Sequence, residues 1–227
     1  MNKKLKVGMN EYYSGRAKEY EELYKYGGTP ASISDPEAYK SEAKIISKLL
    51  NKFIKGKIVD IACGTGYWLP YYAPNCQEIT LIDQSQKMLN ECKKKIEGLG
   101  INKKCKLICD DFFNFGFEEK KFDMGLIGFF LSHCNDEQEK LFFDKMKKML
   151  KIDGEMWFLD SAWNEERSKA RDKLGIQERE LNDGRRFNIY KKYYDKTDVQ
   201  LLAMKYKIKF DILHQGKIFI VFRGGFL

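Results

Sequence analysis

The run IVDIACGTGYW at 58–68 places Gly64 and Gly66 directly after a short apolar segment, with the carboxylate of Asp60 four residues ahead of the first glycine. Two glycines at such a bend let the backbone turn tightly and approach a ligand with no Cβ in the way. A third glycine, as in the GxGxxG loop that receives a pyrophosphate, is replaced by Leu69, which argues against a dinucleotide. Asp60 suits a cationic ammonium. Asp83 follows Gly64 by 19 residues at the end of the next apolar segment, where a carboxylate can accept both hydroxyls of a ribose. Asp110 and Asp111 precede Phe112 and Phe113, a carboxylate and an aromatic wall suited to an adenine amine and ring. Ammonium, ribose and adenine without phosphate are the parts of S-adenosylmethionine.

These groups need a scaffold that brings the ends of several strands together. Short apolar runs at 57–62, 78–83, 106–110, 122–128 and 154–160 have strand length. Helical stretches separate them: 66–73, 85–97 with Met88, Leu89, Cys92 and Ile96, and 136–150, which Asn135 and Gln138 open as a capping box. An earlier helix over 37–53 shares Ile45, Ile46, Leu49, Leu50 and Phe53 on one face. The alternation predicts a doubly wound α/β fold, with a parallel sheet buried on both faces. Near the end, 206–213 and 217–222 alternate apolar and polar residues around a short HQG turn, an antiparallel pair. Residues 10–25 read as a tyrosine-rich helix, 27–36 as a loop, and 161–185 as mostly charged and helical.

DIACGTG, LIDQSQKML, CDDFFNF, FDMGLIGFFLSH and LKIDGEMWFLDS occur in that order over about residues 37–160. The chain thereby resembles the class I S-adenosylmethionine-dependent methyltransferases. The resemblance implies one Rossmann-like domain over 1–227 with a seven-stranded sheet, mostly parallel, and an antiparallel C-terminal strand pair. Within it, 1–36 would be a lid helix and loop, 37–160 the donor-binding core, 161–195 a rim for the acceptor, and 196–227 a helix and the strand pair. It further implies that Asp60, Gly64 and Gly66 line the methionine end, with Gly128 and Phe129 beside it. Asp83 would hold the ribose and Asp111, a better match to the family acid than Asp110, the adenine amine, with Phe112 bordering the ring and Gln84 and Met88 also at the donor. S-adenosylhomocysteine would be the product.

Methyl transfer from a sulfonium needs an aligned nucleophile and, if that nucleophile is protonated, a base. His133, just past the fourth strand, is the candidate base, with a structural hydrogen-bonded histidine as the other reading. An anionic acceptor needs cationic forks instead. NDGRRFNIYKKYY at 182–194 offers Arg185, Arg186, Tyr190 and Lys191, and Lys191 would share a strand face with Phe187 and Ile189. These segments, with NEYYSGRAKEYEE at the front, are similar to a small-molecule subgroup that includes an enzyme methylating a phosphonate oxygen. In that subgroup an N-terminal tyrosine helix forms a lid, and here Tyr12, Tyr13 and Arg16 would close over both substrates. The expectation is an O-methyltransferase for a small acidic or hydroxyl-bearing molecule. An RNA methyltransferase and a catalytically silent donor-binding scaffold or sensor are the alternatives.

Composition agrees. The 227 residues carry a net charge of +8, and Lys outnumbers Arg 34 to 7. Dedicated nucleic-acid binders concentrate charge and favour Arg, whereas Lys here is spread along every segment. No run approaches the length of a membrane span, and six Cys with two His form no CxxC pair. The chain is expected to be cytoplasmic, metal-free, and a monomer or homodimer.

Overall fold

The computed structural model describes residues 3–26 and 33–227, so 27–32 of the expected loop lie outside the described residues. Two helices lead, α1 (Lys3–Gly15) and α2 (Glu22–Tyr26), in place of one continuous helix over 10–25. The amphipathic α3 (Pro36–Phe53) follows. Its first free N–H groups are satisfied by Asp35, which accepts from Ala38 N at 3.0 Å.

The strand and helix alternation then unfolds as the periodicity predicts: β1 (Gly56–Ile61), α4 (Leu69–Tyr72), β2 (Cys76–Asp83), α5 (Gln86–Gly98), β3 (Cys105–Cys109), β4 (Phe122–Gly128), α6 (Asp136–Met149) and β5 (Leu150–Ser161). Ser85 caps α5, and the Asn135–Gln138 capping box on α6 is formed in both directions. After α7 (Glu165–Ser168) come β6 (Leu174–Glu180), β7 (Arg186–Lys192), α8 (Lys196–Tyr206), β8 (Ile208–Gln215) and β9 (Phe219–Phe226).

Seven strands form one sheet in the order β3-β2-β1-β4-β5-β9-β8. Strands β1 to β5 are parallel, and β9 runs antiparallel to both β5 and β8. Consecutive residues of β1 feed opposite faces. Ile58 packs with Leu50, Leu81 and Trp157, while Val59 packs with Met146, Phe158 and Phe222. Because β1 has β2 on one side and β4 on the other, the winding reverses there. A crevice opens beyond the carboxyl ends of these strands, where open α/β sheets bind ligands.

The rim departs from expectation. Only Glu165–Ser168 of the charged stretch is helical, and β6 pairs with β7 as a separate two-stranded antiparallel sheet. Gln177 and Arg179 point inward while Leu174 and Ile176 point outward. This inverts the usual strand pattern, because the hairpin lines a polar cavity. Helix α1 packs across β7 through Met9, Tyr12, Leu181 and Ile189. A Cβ on Gly15 would stand 2.6 Å from Leu181 Cδ1.

Candidate active site

Beyond β1 the chain turns through Gly64 (φ +56°) and Gly66 (φ +69°), in the left-handed region that favours glycine. Gly64 N–H donates to Asp83 at 2.9 Å, and Ser85 N–H donates to the other carboxylate oxygen at 2.8 Å. The end of β2 thus holds the loop after β1 and starts α5 at once. Gly66 has a packing role: a Cβ there would lie 2.8 Å from Cys92 Sγ.

The crevice is lined by Gly64, Asp83, Gln84, Met88, Asp110, Asp111, Phe112, Phe113, Gly128 and Phe129, with Tyr13, Tyr20 and His133 closing it from the other side. A branch toward the sheet is bounded by Asp60, Ala62, Cys63, Tyr24, Gly128 and Phe129. The turn at 111–115 is clasped by Lys145, whose ammonium donates to Phe112 O at 2.5 Å and Phe115 O at 2.6 Å.

Two carboxyls in this crevice are electrostatically unsettled. Burial pushes Asp60 up to about 7, against the hydrogen bond it accepts from the Tyr72 hydroxyl at 2.5 Å. Burial likewise lifts Asp83 to about 6, although two backbone N–H groups favour its ionised form. Among the described residues, no cation stands beside either carboxyl to oppose this. A ligand that brings a positive charge to Asp60 and hydroxyl donors to Asp83 therefore fits, and the Cβ-free Gly64 leaves room for it.

A second cavity adjoins the first across a shared wall of Tyr13, Tyr20, Phe129 and His133. Its lining includes four buried cationic side chains: Arg16, Arg167, Arg179 and Lys191. Lys191 is neutralised by Asp160 at 2.8 Å and also donates to Ser132 at 2.6 Å. The Arg16 guanidinium is held by the neutral Tyr12 OH at 3.0 Å, and Arg167 donates to the carbonyls of Ala162 and Ile218. Arg179 donates to Gln177 Oε1 at 2.6 Å and Tyr193 OH at 3.1 Å. Burial would raise the Tyr193 phenol, but Arg179, Lys191 and Arg167 together hold it below the ordinary value.

The family described as methyltransferase domain matches residues 58–154. Residues 58–154 are a methyltransferase domain. The whole fold is that of S-adenosylmethionine-dependent methyltransferases. DhpI in complex with SAM and HEP superposes with a TM-score of 0.77 at 20% identity, covering 99% of each chain. The S-adenosylmethionine-dependent methyltransferase of Aquifex aeolicus gives 0.60 at 17%, covering 93% of this chain and 97% of that one. In sequence, the demethylmenaquinone methyltransferases of Oceanobacillus iheyensis and of Staphylococcus aureus strain MRSA252 are 26% and 28% identical over 146 and 164 residues. These alignments cover 63% and 71% of this chain and 60% and 63% of the relatives, so the chain spans less than two thirds of their length.

Within the methyltransferase domain, the residues expected at the donor come together around the crevice and its branch, except Gly66, which packs behind the loop. Asp110 and Asp111 both line it, so the two remain joint candidates for the adenine side. Of the acceptor set, Tyr12, Tyr13, Arg16 and Lys191 line the second cavity. Lys191 shares the inward face of β7 with Phe187 and Ile189, as the alternation predicts.

Arg185 and Arg186 are not brought to either cavity. Both are exposed, Arg185 bound to Asp183 at 2.7 Å and Arg186 to Glu180 at 2.8 Å and Glu178 at 3.6 Å. They sit at the hairpin turn and on the outer face of β7, where alternation turns them away from the cavity. The ring of Tyr190 lines neither cavity; its contribution is the backbone carbonyl that meets His133 Nδ1 at 2.6 Å. Sequence reasoning missed Arg167, Arg179, Tyr20, Tyr39 and Tyr193. The scarcity of Arg was the usable signal, and it drew notice to Arg185 and Arg186, which lie outside both cavities.

Proposed function

We propose that this chain transfers the methyl group of S-adenosylmethionine to an oxygen of a small anionic molecule. The observation that carries this reading is the cavity beside the donor crevice, into which two guanidiniums held through neutral oxygens, Arg16 and Arg179, converge, with Arg167 and Lys191 beside them. A buried cation is costly without a counter-charge, so an anionic guest is the natural complement.

Asp83 would accept the ribose hydroxyls, and Asp60 would meet the ammonium of the methionine end. Asp110 or Asp111 would take the adenine amine, with Phe112 and Phe113 bordering the ring. S-adenosylhomocysteine would remain as product. When bound, S-adenosylmethionine supplies a methyl already activated on a sulfonium. The protein's part is to exclude water and align the acceptor oxygen. From the N-terminal segment, Tyr13 and Tyr20 border both cavities, and Tyr12 and Arg16 border the second. Ser14 bonds Ser85 at 2.7 Å, and Glu21 bonds Thr65 at 2.7 Å and Lys95 at 2.5 Å. That segment is thereby fastened to the glycine loop and to α5, as a lid over the donor would be. The likeness to DhpI, seen with SAM and HEP, supports the donor assignment.

The experiment is to incubate the protein with methyl-labelled S-adenosylmethionine and, separately, the anionic small-molecule, neutral small-molecule and RNA fractions of a cell extract. Label in the anionic fraction is expected. Label in RNA or in the neutral fraction alone would replace this reading with another acceptor class.

A further inference from the structure

The two cavities share a wall, and the wall is neutral. Arg16, Arg167, Arg179 and Lys191 line the acceptor cavity alone, whereas Tyr13, Tyr20, Phe129 and His133 face both sides. A methyl group must cross at that wall, so the atom that receives it lies beside Tyr13 and His133.

The hydrogen bonds there have a fixed sense. A carbonyl oxygen can only accept, so Nδ1 of His133 carries the proton and donates to Tyr190 O at 2.6 Å. Nε2 is then the bare nitrogen, and it accepts from the Tyr13 hydroxyl at 2.7 Å. The Tyr13 proton is committed to His133, which leaves the lone pairs of its oxygen available to a donor in the cavity. A row in which each group can accept one more proton suits a protonated nucleophile. An anion's own oxygen would have no use for it.

Building on the proposed function, we propose that the acceptor is bifunctional. Its anionic group anchors on Arg16 and Arg179, and the methylated atom is a separate hydroxyl oxygen whose proton passes through Tyr13 to His133. The acceptor's O–H bond breaks, its proton moves to the Tyr13 oxygen, and the original Tyr13 proton moves to Nε2. The oxygen's electron pair forms the new O–CH3 bond as the methyl leaves sulfur, which keeps the S–C pair. One positive charge is lost at sulfur and one appears on the imidazole, so charge balances.

The charged and titratable groups facing His133 fit this division. They are Tyr13 from α1, Arg179 from β6, and Lys191 from β7 with its partner Asp160 from β5. Burial, Lys191 and Arg179 all oppose an imidazolium. An anion seated on the guanidiniums offsets that potential, so the anchor itself makes His133 a better base.

Sulfate serves as a stand-in for the anchor. Its binding is measured by calorimetry on the full chain, on Arg179→Gln and Arg16→Gln, and on Tyr13→Phe and His133→Asn, with thermal unfolding as the folding control. The parent is expected to bind. Either arginine variant should bind about tenfold more weakly or worse, and the Tyr13 and His133 variants within about twofold of the parent. Having two variants in each class keeps the comparison decisive if one misfolds. Equal weakening by Tyr13→Phe or His133→Asn would place the anion at the shared wall and overturn the inference. Sulfate binding that no arginine variant weakens would overturn it too. No sulfate binding by the parent would defeat the anionic-acceptor reading itself. For any labelled product, an alkali-stable methyl on a compound that keeps its full negative charge is expected; a product that has lost one negative charge, as a methyl ester of the anion would, contradicts it.

Discussion

The Tyr13 hydroxyl lies 2.7 Å from Nε2 of His133, and the opposite ring nitrogen is 2.6 Å from the Tyr190 carbonyl. One helix of the N-terminal segment and one strand of the rim hairpin thus fix the tautomer of a histidine that follows β4. Burial and the nearby Lys191 hold this imidazole well below its ordinary value, so it is neutral, with its bare nitrogen on the Tyr13 hydroxyl.

Replacing His133 by Asn should lower kcat about 100-fold or more, with KM for the acceptor changed far less. In the protein without acceptor, the His133 ring signals in NMR, assigned by their loss in the same variant, should show no titration near the ordinary imidazole value of about 6.5. An unchanged rate in His133→Asn would return the residue to a structural role.

Donor affinity should rise with pH. Asp60 is lifted to about 7 and Asp83 to about 6 by burial, and the ionised forms are the ones that meet an ammonium and accept ribose hydroxyls. Both carboxyls therefore lose their protons as pH climbs through these values, and calorimetry should show tighter binding at pH 8 than at pH 5.5. Equal affinity across that range would contradict the assignment.

Arg185→Ala and Arg186→Ala should leave turnover within about twofold, since their ion pairs are exposed and lie outside both cavities. Arg179→Gln, by contrast, should raise acceptor KM about tenfold or more. A large loss in the Arg185 or Arg186 variant would mean that the hairpin turn reaches the acceptor after all.

Glu42 carries a stability prediction. Its buried carboxylate accepts from the backbone N–H of Ile218 at 3.0 Å and Phe219 at 2.9 Å, and pairs with His214 Nε2 at 3.1 Å, pinning α3 to the β8–β9 turn. Burial alone would raise this carboxyl, but those hydrogen bonds hold it below its ordinary value. Its stabilisation is therefore present above the unfolded value and is lost as pH falls through the lower folded one. Glu42→Ala should cost about 3 kcal/mol, a fall of about 6–12 °C in Tm by scanning calorimetry. A Tm within about 2 °C of the parent would show that the turn holds without it.

The sheet was legible because its central strands bury both faces and several helices carry their own start signals, as Ser85 and the Asn135–Gln138 box illustrate. The donor crevice was legible because its residues follow strand ends at fixed spacing. The acceptor cavity was not, and the reason is physical. Strand β6 turns Gln177 and Arg179 inward and leaves Leu174 and Ile176 outside, so a pattern tuned to apolar cores reads it as a solvated helix. Arg16, Arg167 and Arg179 meet only through tertiary packing of the N-terminal helices, α7 and the hairpin, whereas Arg185 and Arg186 attracted notice as neighbours in sequence. Lys191 was legible because its inward position broke an otherwise apolar alternation.

The most direct test is calorimetric titration of the full chain with S-adenosylmethionine and S-adenosylhomocysteine, repeated on Asp83→Ala. The account predicts saturable one-site binding of both by the parent and a loss of about 100-fold or more in the variant, the scale of a charge-assisted pair of hydrogen bonds. No binding of either compound by the parent would contradict it.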